Sequence, residues 1–333
     1  MNSKEYNKNN RTMAHKIWAI VLALVFVVSA FLFVAELIDS DHGQFEGDEP
    51  SLDKNLLYNG REYVIDEDVE TILVLGLDKF YSESVDSYNN DKQADFLMLF
   101  IVDNNTKSYK ALHLNRDAMV EMNVLGVAGD KIDTTTKQLA IAHTYGNGKE
   151  VSCRNVANAV SGMLLGAEID HYVSVTMDSV SVYNDLLGGV SLEILDDFTS
   201  VDDTMVKGQT VTLSGEQALK YVRSRQGIDD STNKSRMARQ KQYLNALYDK
   251  TKETVSNDSS FVSKTGLAMS KYVISDCSVN KLEQFMIKLS EYKLDEVLDI
   301  EGETTIGEEF VEFYPNEDSV LEIVIDCFYK ESK

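Results

Sequence analysis

Four arginines fall within one short stretch of an acidic chain. Although the 333 residues carry a formal net charge of −23, the segment Tyr221–Gln240 (YVRSRQGIDDSTNKSRMARQ) contains Arg223, Arg225, Arg236 and Arg239. A guanidinium keeps its charge and pairs with phosphate or carboxylate oxygens through two parallel hydrogen bonds. Pairing with local acids on a solvated face contributes only about 0–1 kcal/mol for each pair and does not explain the clustering. We therefore interpret the segment as a candidate anion-binding site.

The spacing of these arginines predicts two local geometries. Arg223 and Arg225 are two positions apart, so their side chains share a face only where the chain is extended. Arg236 and Arg239 are three positions apart and share one face of a predicted helix with Gln240. The segment would then present its charge from a turn and from the helix that follows it.

A second group of polar residues lies at the ends of three predicted strands. Their β-branched, apolar sequences place these strands at Glu70–Leu77, Ala94–Val102 and Ser108–Leu114. If the strands form an up-down-up meander, Asp78, Asp95 and the pair Arg116-Asp117 reach the same edge of the sheet. Two carboxylates suit Mg²⁺, whose coordination is typically completed by waters and substrate phosphates. Each aspartate alone is explained as a loop cap, but together with the arginines they predict a site.

The remaining elements predict a mixed architecture. A capping box at Ser214 and Gln217 starts one helix. Another is expected to end at Gly188-Gly189, and further helices are expected near 138–143, 151–165, 233–252, 279–292 and 319–328. Helices and strands are mixed without a regular βαβ repeat. We therefore expect an α/β (mixed α+β) fold, with a single domain built on a central mixed sheet flanked by helices.

An apolar segment near the N-terminus predicts a membrane anchor. Residues 17–35 (IWAIVLALVFVVSAFLFVA) carry no charge, and at about 1.5 Å per residue they span a hydrocarbon core of roughly 30 Å. The preceding tail is basic and the following stretch is acidic, which places the N-terminus in the cytoplasm. We expect a cytoplasmic tail at 1–16, an anchor at 17–38, a juxtamembrane linker at 39–65 and an extracytoplasmic domain at 66–333. A cleaved signal peptide is the alternative.

Charge and cysteine content exclude other classes of protein. A net charge of −23 argues against binding to nucleic acid. Cys153, Cys277 and Cys327 are widely spaced and form neither a disulfide scaffold nor a metal-ligand pattern. The ligand of the arginines is therefore expected to be an anion other than nucleic acid.

Several motifs occur in a fixed order: ILVLGLD, ADFLMLFIVD, LNRD, DHYVSVTMDSV with LLGGV, LSGEQALKYVRSR and SRMARQ. This set, over about residues 70–245, resembles the LytR–CpsA–Psr family. The resemblance implies a membrane-anchored, Mg²⁺-dependent phosphotransferase. Such an enzyme moves an anionic glycopolymer from undecaprenyl pyrophosphate to a peptidoglycan hydroxyl and releases undecaprenyl phosphate. The alternative is a non-catalytic protein that binds a polyprenyl phosphate or a wall polymer and regulates the cell envelope.

The resemblance also implies roles for single residues. Asp78 and Asp95 fall on the family's Mg²⁺-associated aspartates. The residues expected to bind pyrophosphate are Lys79, Arg116, Arg223, Arg225, Arg236, Arg239 and Gln240. Arg116, Asp117 and Asp95 would be catalytic, with Asp117 or Asp95 as proton acceptor. The chain departs from the family pattern at Lys79 and Gln93, where arginine is common, and at Asn115, where proline is common. For His143, in AIAHTYG, a substrate contact and a core position are both open.

Overall fold

The computed structural model describes residues 51–77, 92–224, 228, 233–258, 261, 265, 268–269, 272–307 and 310–332. The predicted cytoplasmic tail and membrane anchor lie outside these residues. Over the described ranges, no helix has both the length and the hydropathy needed to cross a membrane.

Contacts within the chain group its residues into two compact units. The sheet unit comprises the described residues of 40–176 together with 274–278 and 287–333. The helical unit comprises the described residues of 177–273 together with 279–286. Asp95, Arg116 and Asp117 belong to the sheet unit, and the arginine segment belongs to the helical unit.

Strands and helices alternate irregularly along the chain. The strands are β1 Asn55–Tyr58, β2 Arg61–Ile65, β3 Val69–Leu77, β4 Ala94–Asp103, β5 Ser108–His113, β6 Met119–Leu125, β7 Lys131–Gln138, β8 His171–Thr176, β9 Val190–Glu193, β10 Thr210–Leu213, β11 Val273–Ser275, β12 Lys293–Asp299, β13 Gly302–Ile306, β14 Val311–Pro315 and β15 Tyr329–Glu331. The α-helices are α1 Glu150–Met163, α2 Asp178–Leu186, α3 Gly215–Arg223, α4 Asn233–Asn257, α5 Val279–Glu291 and α6 Glu317–Phe328, and a 3₁₀ helix covers Leu139–Thr144.

The largest sheet has the order β11-β8-β3-β4-β5-β12 and is mixed. β3 pairs antiparallel with β4, and β4 with β5, which confirms the predicted meander. β8 lies parallel to β3, and β12 lies parallel to β5. The apolar run of β3 is buried from Ile72 to Leu75, as expected of a strand enclosed between two neighbours. The predicted mixed α+β class with a central mixed sheet is therefore confirmed.

A β-bulge interrupts the pairing of β3 with β4 near the end of β3. Gly76 pairs with Phe96, whereas Leu77 pairs with Ala94, so Asp95 is the extra residue between them. A side chain at position 76 would place its Cβ 2.9 Å from the Cβ of Phe96. Bulges bend a strand and redirect a side chain. This bulge turns Asp95 outward, with 47% of its side chain exposed.

The predicted capping box at the start of α3 is confirmed. The Ser214 hydroxyl accepts from the Gln217 amide at 3.3 Å, and the Gln217 side chain accepts from the Ser214 amide at 3.0 Å. These bonds satisfy two donors that the first helical turn leaves unpaired. Arg223 is the last residue of α3, so it is helical and not part of an extended turn.

Part of the predicted juxtamembrane linker is folded. β1 and β2 pair antiparallel around Asn59 and Gly60, whose φ angles are +50° and +75°. Positive φ at both positions is the geometry that Asn-Gly favours in two-residue hairpins. β2 also pairs with β15 near the C-terminus. The boundary predicted at residue 65 therefore lies too far along the chain, because residues 55–65 belong to the sheet unit.

We expect Gly76→Ala to destabilise the protein by about 1–3 kcal/mol, because the added methyl overpacks β3 against Phe96. Chemical denaturation measures the change. Gly162→Ala is the control, since a Cβ at position 162 meets no atom within 4 Å. It should leave stability unchanged or raise it by about 0.5–1 kcal/mol. Equal stability of the two variants would contradict a close approach at Gly76.

Candidate active site

The meander brings Asp95 and Arg116 into contact, as the sequence predicted. Asp95 projects from the bulge of β4, and Arg116 follows the end of β5. An Arg116 terminal nitrogen donates a short hydrogen bond to a carboxylate oxygen of Asp95. Because β4 and β5 are antiparallel neighbours, the start of one and the end of the other meet at the same edge.

Arg116 lies in a tight turn that the surrounding backbone holds in place. The Ala118 amide donates to the Asn115 carbonyl at 3.0 Å, and the Asp117 amide donates to the Asn115 side chain at 2.9 Å. An asparagine that bonds the backbone two residues on stabilises such a turn. The Arg116 carbonyl accepts from the Ala140 amide of the 3₁₀ helix at 2.9 Å. Asn115 thus supplies a turn restraint where the family pattern has proline.

Three acceptors surround the Arg116 guanidinium. One terminal nitrogen binds Asp95, and the other donates to the Gln93 side-chain oxygen at 2.9 Å. Nε lies 3.5 Å from a carboxylate oxygen of Asp117. The sequence interpreted Gln93 only as the loss of an arginine, whereas the structure makes it an acceptor that orients Arg116.

Gln138 connects this cluster to the C-terminal hairpin β13–β14. The side-chain amide nitrogen of Gln138 donates to a carboxylate oxygen of Asp117 at 3.0 Å and to the Val311 carbonyl at 2.7 Å. The Asp117 carbonyl accepts from the Phe313 amide at 2.9 Å. Asp117 is therefore positioned from both its side chain and its backbone.

The cluster can rearrange at low cost when a ligand arrives. The side chains of Arg116 and Asp95 are 37% and 47% exposed, so their ion pair contributes only about 0–1 kcal/mol. An incoming phosphate can replace one acceptor of the guanidinium, because the fork geometry suits phosphate as well as carboxylate. Asp95, Asp117 and Gln93 offer hard oxygen donors, the class of ligand that Mg²⁺ takes. The described residues therefore fit a magnesium ion by donor type.

In the helical unit, Arg239 is buried and fully engaged. Its side chain is 1% exposed, and its guanidinium lies over the Phe198 ring with 5.1 Å between the two centres. Nε donates to the Tyr221 carbonyl at 3.0 Å, and one terminal nitrogen donates to the Ser224 carbonyl. The other terminal nitrogen pairs with Asp196. This geometry indicates a positioning role for Arg239, and its assignment to pyrophosphate stays a prediction.

Gln240 has a similar role. The side-chain amide nitrogen of Gln240 donates to the Val222 carbonyl at 2.9 Å. The last carbonyls of a helix have no partner within the helix. At the C-terminal end of α3, Arg239 donates to the carbonyl of Tyr221 and Gln240 to that of Val222. They hold the end of the helix that carries Arg223, whose side chain is exposed. Among the described side chains of the arginine segment, that of Arg223 lies at the surface.

The other predicted residues lie wholly or partly outside the described part of the chain. Asp78, Lys79 and Arg225 lie outside the described residues. Arg236 is part of α4, but its side chain also lies outside them. Their assignments to Mg²⁺ and to pyrophosphate stay predictions.

His143 is a core residue, which decides between the two interpretations that the sequence left open. It is fully buried, and its Nδ1 donates to the Lys92 carbonyl at 2.9 Å. Nε2 lies 3.7 Å from the Cys153 sulfur, which donates to it. Burial lowers the pKa of His143 to about 4. The imidazole is therefore neutral at physiological pH and joins the 3₁₀ helix to α1 and to the start of β4.

Over the described parts of the chain, one group of three side chains has metal-ligand spacing: His171, Asp276 and Cys277. The Asp276 carboxylate already accepts from an Arg154 nitrogen, and from the Tyr172 amide at 2.9 Å. Both oxygens of this carboxylate are therefore already engaged by donors of the protein. The group is best explained as an ion pair that fastens the residues after β11 to β8.

The model of the LytR_cpsA_psr family matches residues 38–323. This chain belongs to that family. The predicted resemblance is confirmed, and the family match extends through the C-terminal hairpin and most of α6.

Relatives within the family share part of this sequence. The polyisoprenyl-teichoic acid–peptidoglycan teichoic acid transferase TagV of Bacillus subtilis is 30% identical over 187 residues, which cover 54% of this chain and 43% of TagV. TagU of Halalkalibacterium halodurans, named for the same activity, is 28% identical over 226 residues, covering 67% of this chain and 66% of TagU. The match thus spans between two fifths and two thirds of these relatives. The crystal structure of B. subtilis TagV aligns with a TM-score of 0.53 at 23% identity, covering 79% of this chain and 97% of that chain. It shares the fold.

We expect Arg239→Ala to cost about 3–5 kcal/mol of stability, because it leaves Asp196 as an unpaired charge and removes the donors to the end of α3. Arg223→Ala, at an exposed arginine of the same segment, should change stability by no more than about 0.5 kcal/mol. Urea denaturation of both variants measures the difference. An Arg239→Ala protein as stable as wild type would show that the guanidinium is not a structural anchor.

Proposed function

We propose that this protein is a membrane-anchored phosphotransferase that moves an anionic glycopolymer from a polyprenyl pyrophosphate to a hydroxyl of peptidoglycan. The observation that carries the proposal is the contact of Arg116 with Asp95 at one edge of the meander, in a chain of the LytR_cpsA_psr family. The names of TagV and TagU describe transfer of teichoic acid to peptidoglycan. We extend that class of reaction to this chain, with undecaprenyl phosphate as the released product.

Arg116 is the group that we assign to the transferring phosphate. Negative charge grows on the leaving phosphate during transfer, and a positioned guanidinium stabilises it without being consumed. Asn115 and the 3₁₀ helix fix the turn that carries Arg116, and Gln93 fixes the plane of its guanidinium. We assign further phosphate contacts to Arg223, Arg225, Arg236 and Lys79, with Arg239 and Gln240 in support.

We propose that Asp95, with Asp78, holds Mg²⁺. The ion, when bound, neutralises charge on the phosphate oxygens. Asp95 and Asp117 are the carboxylates that flank Arg116, and one of them accepts the proton of the attacking hydroxyl. The pH dependence of polymer transfer by Asp95→Asn and by Asp117→Asn identifies which carboxylate accepts the proton.

For localisation, we propose that residues 17–38 anchor the protein and that the folded residues lie outside the membrane. The uncharged segment 17–35 and the basic tail before it support this orientation. The donor is then a lipid in the same bilayer, so anchoring raises its effective concentration.

Arg116→Ala should lower polymer transfer by about 100- to 1,000-fold, equal to about 2.7–4 kcal/mol of barrier, because it removes a donor to the developing charge. The assay follows phosphate-linked polymer passing from a polyprenyl pyrophosphate to peptidoglycan, with the full chain in detergent and Mg²⁺ supplied or chelated. Circular dichroism verifies the fold of the variant.

Arg61→Ala is the matched control, because Arg61 is an exposed arginine of the sheet unit whose side chain pairs with Glu331. It should transfer at the wild-type rate. Wild-type turnover of Arg116→Ala would disprove its catalytic assignment. Binding of the lipid without any transfer by the unmutated protein would favour the regulatory alternative.

Gln93 provides a second test of the same site. We expect Gln93→Leu to lower kcat by about tenfold with little change in the donor KM, because Arg116 loses the acceptor that orients it. Gln93→Glu restores an acceptor and should recover part of kcat, while its added negative charge raises the KM for the anionic donor. Steady-state kinetics on both variants separate the two effects. A rise in KM alone for Gln93→Leu would make Gln93 a substrate ligand and not a positioning residue.

A further inference from the structure

The hairpin β13–β14 presents an aromatic ring between two carboxylates on its exposed face. Tyr314 is 47% exposed, and its hydroxyl donates to Glu312 at 2.7 Å. Glu303 is the cross-strand partner of Tyr314, so it lies on the same face. The roles assigned above for the transfer reaction use none of these side chains.

A cavity of about 940 Å³ adjoins this face. It is lined by residues that include Glu301, Glu303, Tyr314, Glu317 and Asp318. The cavity is open to solvent. Four carboxylates in one cavity repel an anionic polymer, and they accept hydrogen bonds from hydroxyl and amide groups.

The hairpin is attached directly to the candidate active site. The Phe313 amide, next to Tyr314, donates to the Asp117 carbonyl at 2.9 Å. Gln138 donates both to the Val311 carbonyl and to the Asp117 carboxylate. Tyr314 is therefore the next residue along the strand that is bonded to Asp117.

We infer that this face and cavity bind the acceptor, an uncharged N-acetylated glycan strand. The inference rests on the proposed function, which requires a glycan hydroxyl close to Arg116 and Asp117. A sugar ring offers an apolar face to Tyr314 while its hydroxyl and acetamide groups donate to the carboxylates. The charges complement this acceptor and exclude the donor, so the two substrates are sorted by charge: the anion to Arg116 and the neutral glycan to the hairpin.

Direct binding of a soluble, uncharged N-acetylglucosamine oligosaccharide to the full chain in detergent tests the site, with calorimetry as the measurement. Tyr314→Ser should weaken binding by about tenfold or more. Tyr314→Phe keeps the ring and should remain within about twofold of wild type. In the transfer assay, Tyr314→Ser should raise the KM for peptidoglycan and not that for the lipid donor.

Phe310→Ser is the matched control, because Phe310 is an exposed aromatic residue at the other end of the hairpin and does not line the cavity. It should leave binding of the oligosaccharide unchanged. Equal losses in Phe310→Ser and Tyr314→Ser would overturn the inference, as would binding that is absent in wild type or insensitive to Tyr314→Ser.

The two proposals can fail separately. If the chain cleaves a polyprenyl pyrophosphate but does not bind the oligosaccharide, the acceptor site is wrong and the transferase proposal stands. If it binds the oligosaccharide through Tyr314 but releases no phosphate with any polyprenyl pyrophosphate, the glycan site stands and the transferase proposal is wrong.

Discussion

The register of the β3–β4–β5 meander is the constraint on which the site depends. Antiparallel pairing fixes which residue of β4 lies beside the end of β5, and the bulge adds one residue at that point. Without the bulge, Asp95 would take a regular position in the pleat, and its side chain direction would alternate with that of its neighbours. Gly76 permits the close approach of β3 and Phe96 that accompanies the bulge. A backbone irregularity of one residue thus decides that a carboxylate meets Arg116.

Two arginines of this chain show how burial changes the use of one residue type. Arg239, almost fully buried, has carbonyl, carboxylate and aromatic partners, as a desolvated charge requires. Arg116, more than a third exposed, has acceptors that are individually weak and exchangeable. The first can hold a helix end in place, and the second can exchange a protein acceptor for a phosphate. The sequence alone gives no measure of this difference, since both arginines stand beside polar residues.

Much of the fold was predictable because its signals are local. The meander follows from three apolar runs separated by polar segments, and the start of α3 follows from Ser214 and Gln217. The hairpin β1–β2 was missed although Asn59-Gly60 is a strong turn signal, because the acidic residues around it suggested a linker. The grouping into two compact units depends on contacts between distant parts of the chain, which local sequence patterns do not contain.

The site was predictable only in part, for a similar reason. Asp95 and Arg116 follow from strand order, but Gln93 and Gln138 become visible only when their hydrogen bonds are known. A polar residue that orients another has no sequence signature of its own, since its role depends on where two side chains meet. Likewise, the C-terminal capping of α3 joins residues 18 positions apart. The signal that could have pointed to it is a helix that ends without the glycine usual after a last turn.

The acidity of the chain is compatible with an anionic substrate because electrostatic interactions are local. At physiological ionic strength, exposed charges are screened beyond about 8 Å. A phosphate close to Arg116 therefore responds to the nearest groups more than to the net charge of −23. In the proposed reaction, Asp95 and Asp117 hold the guanidinium until a phosphate with denser charge replaces one of them. The acidic side chains of the chain then weaken the binding of anions at surfaces that lack a positioned cation.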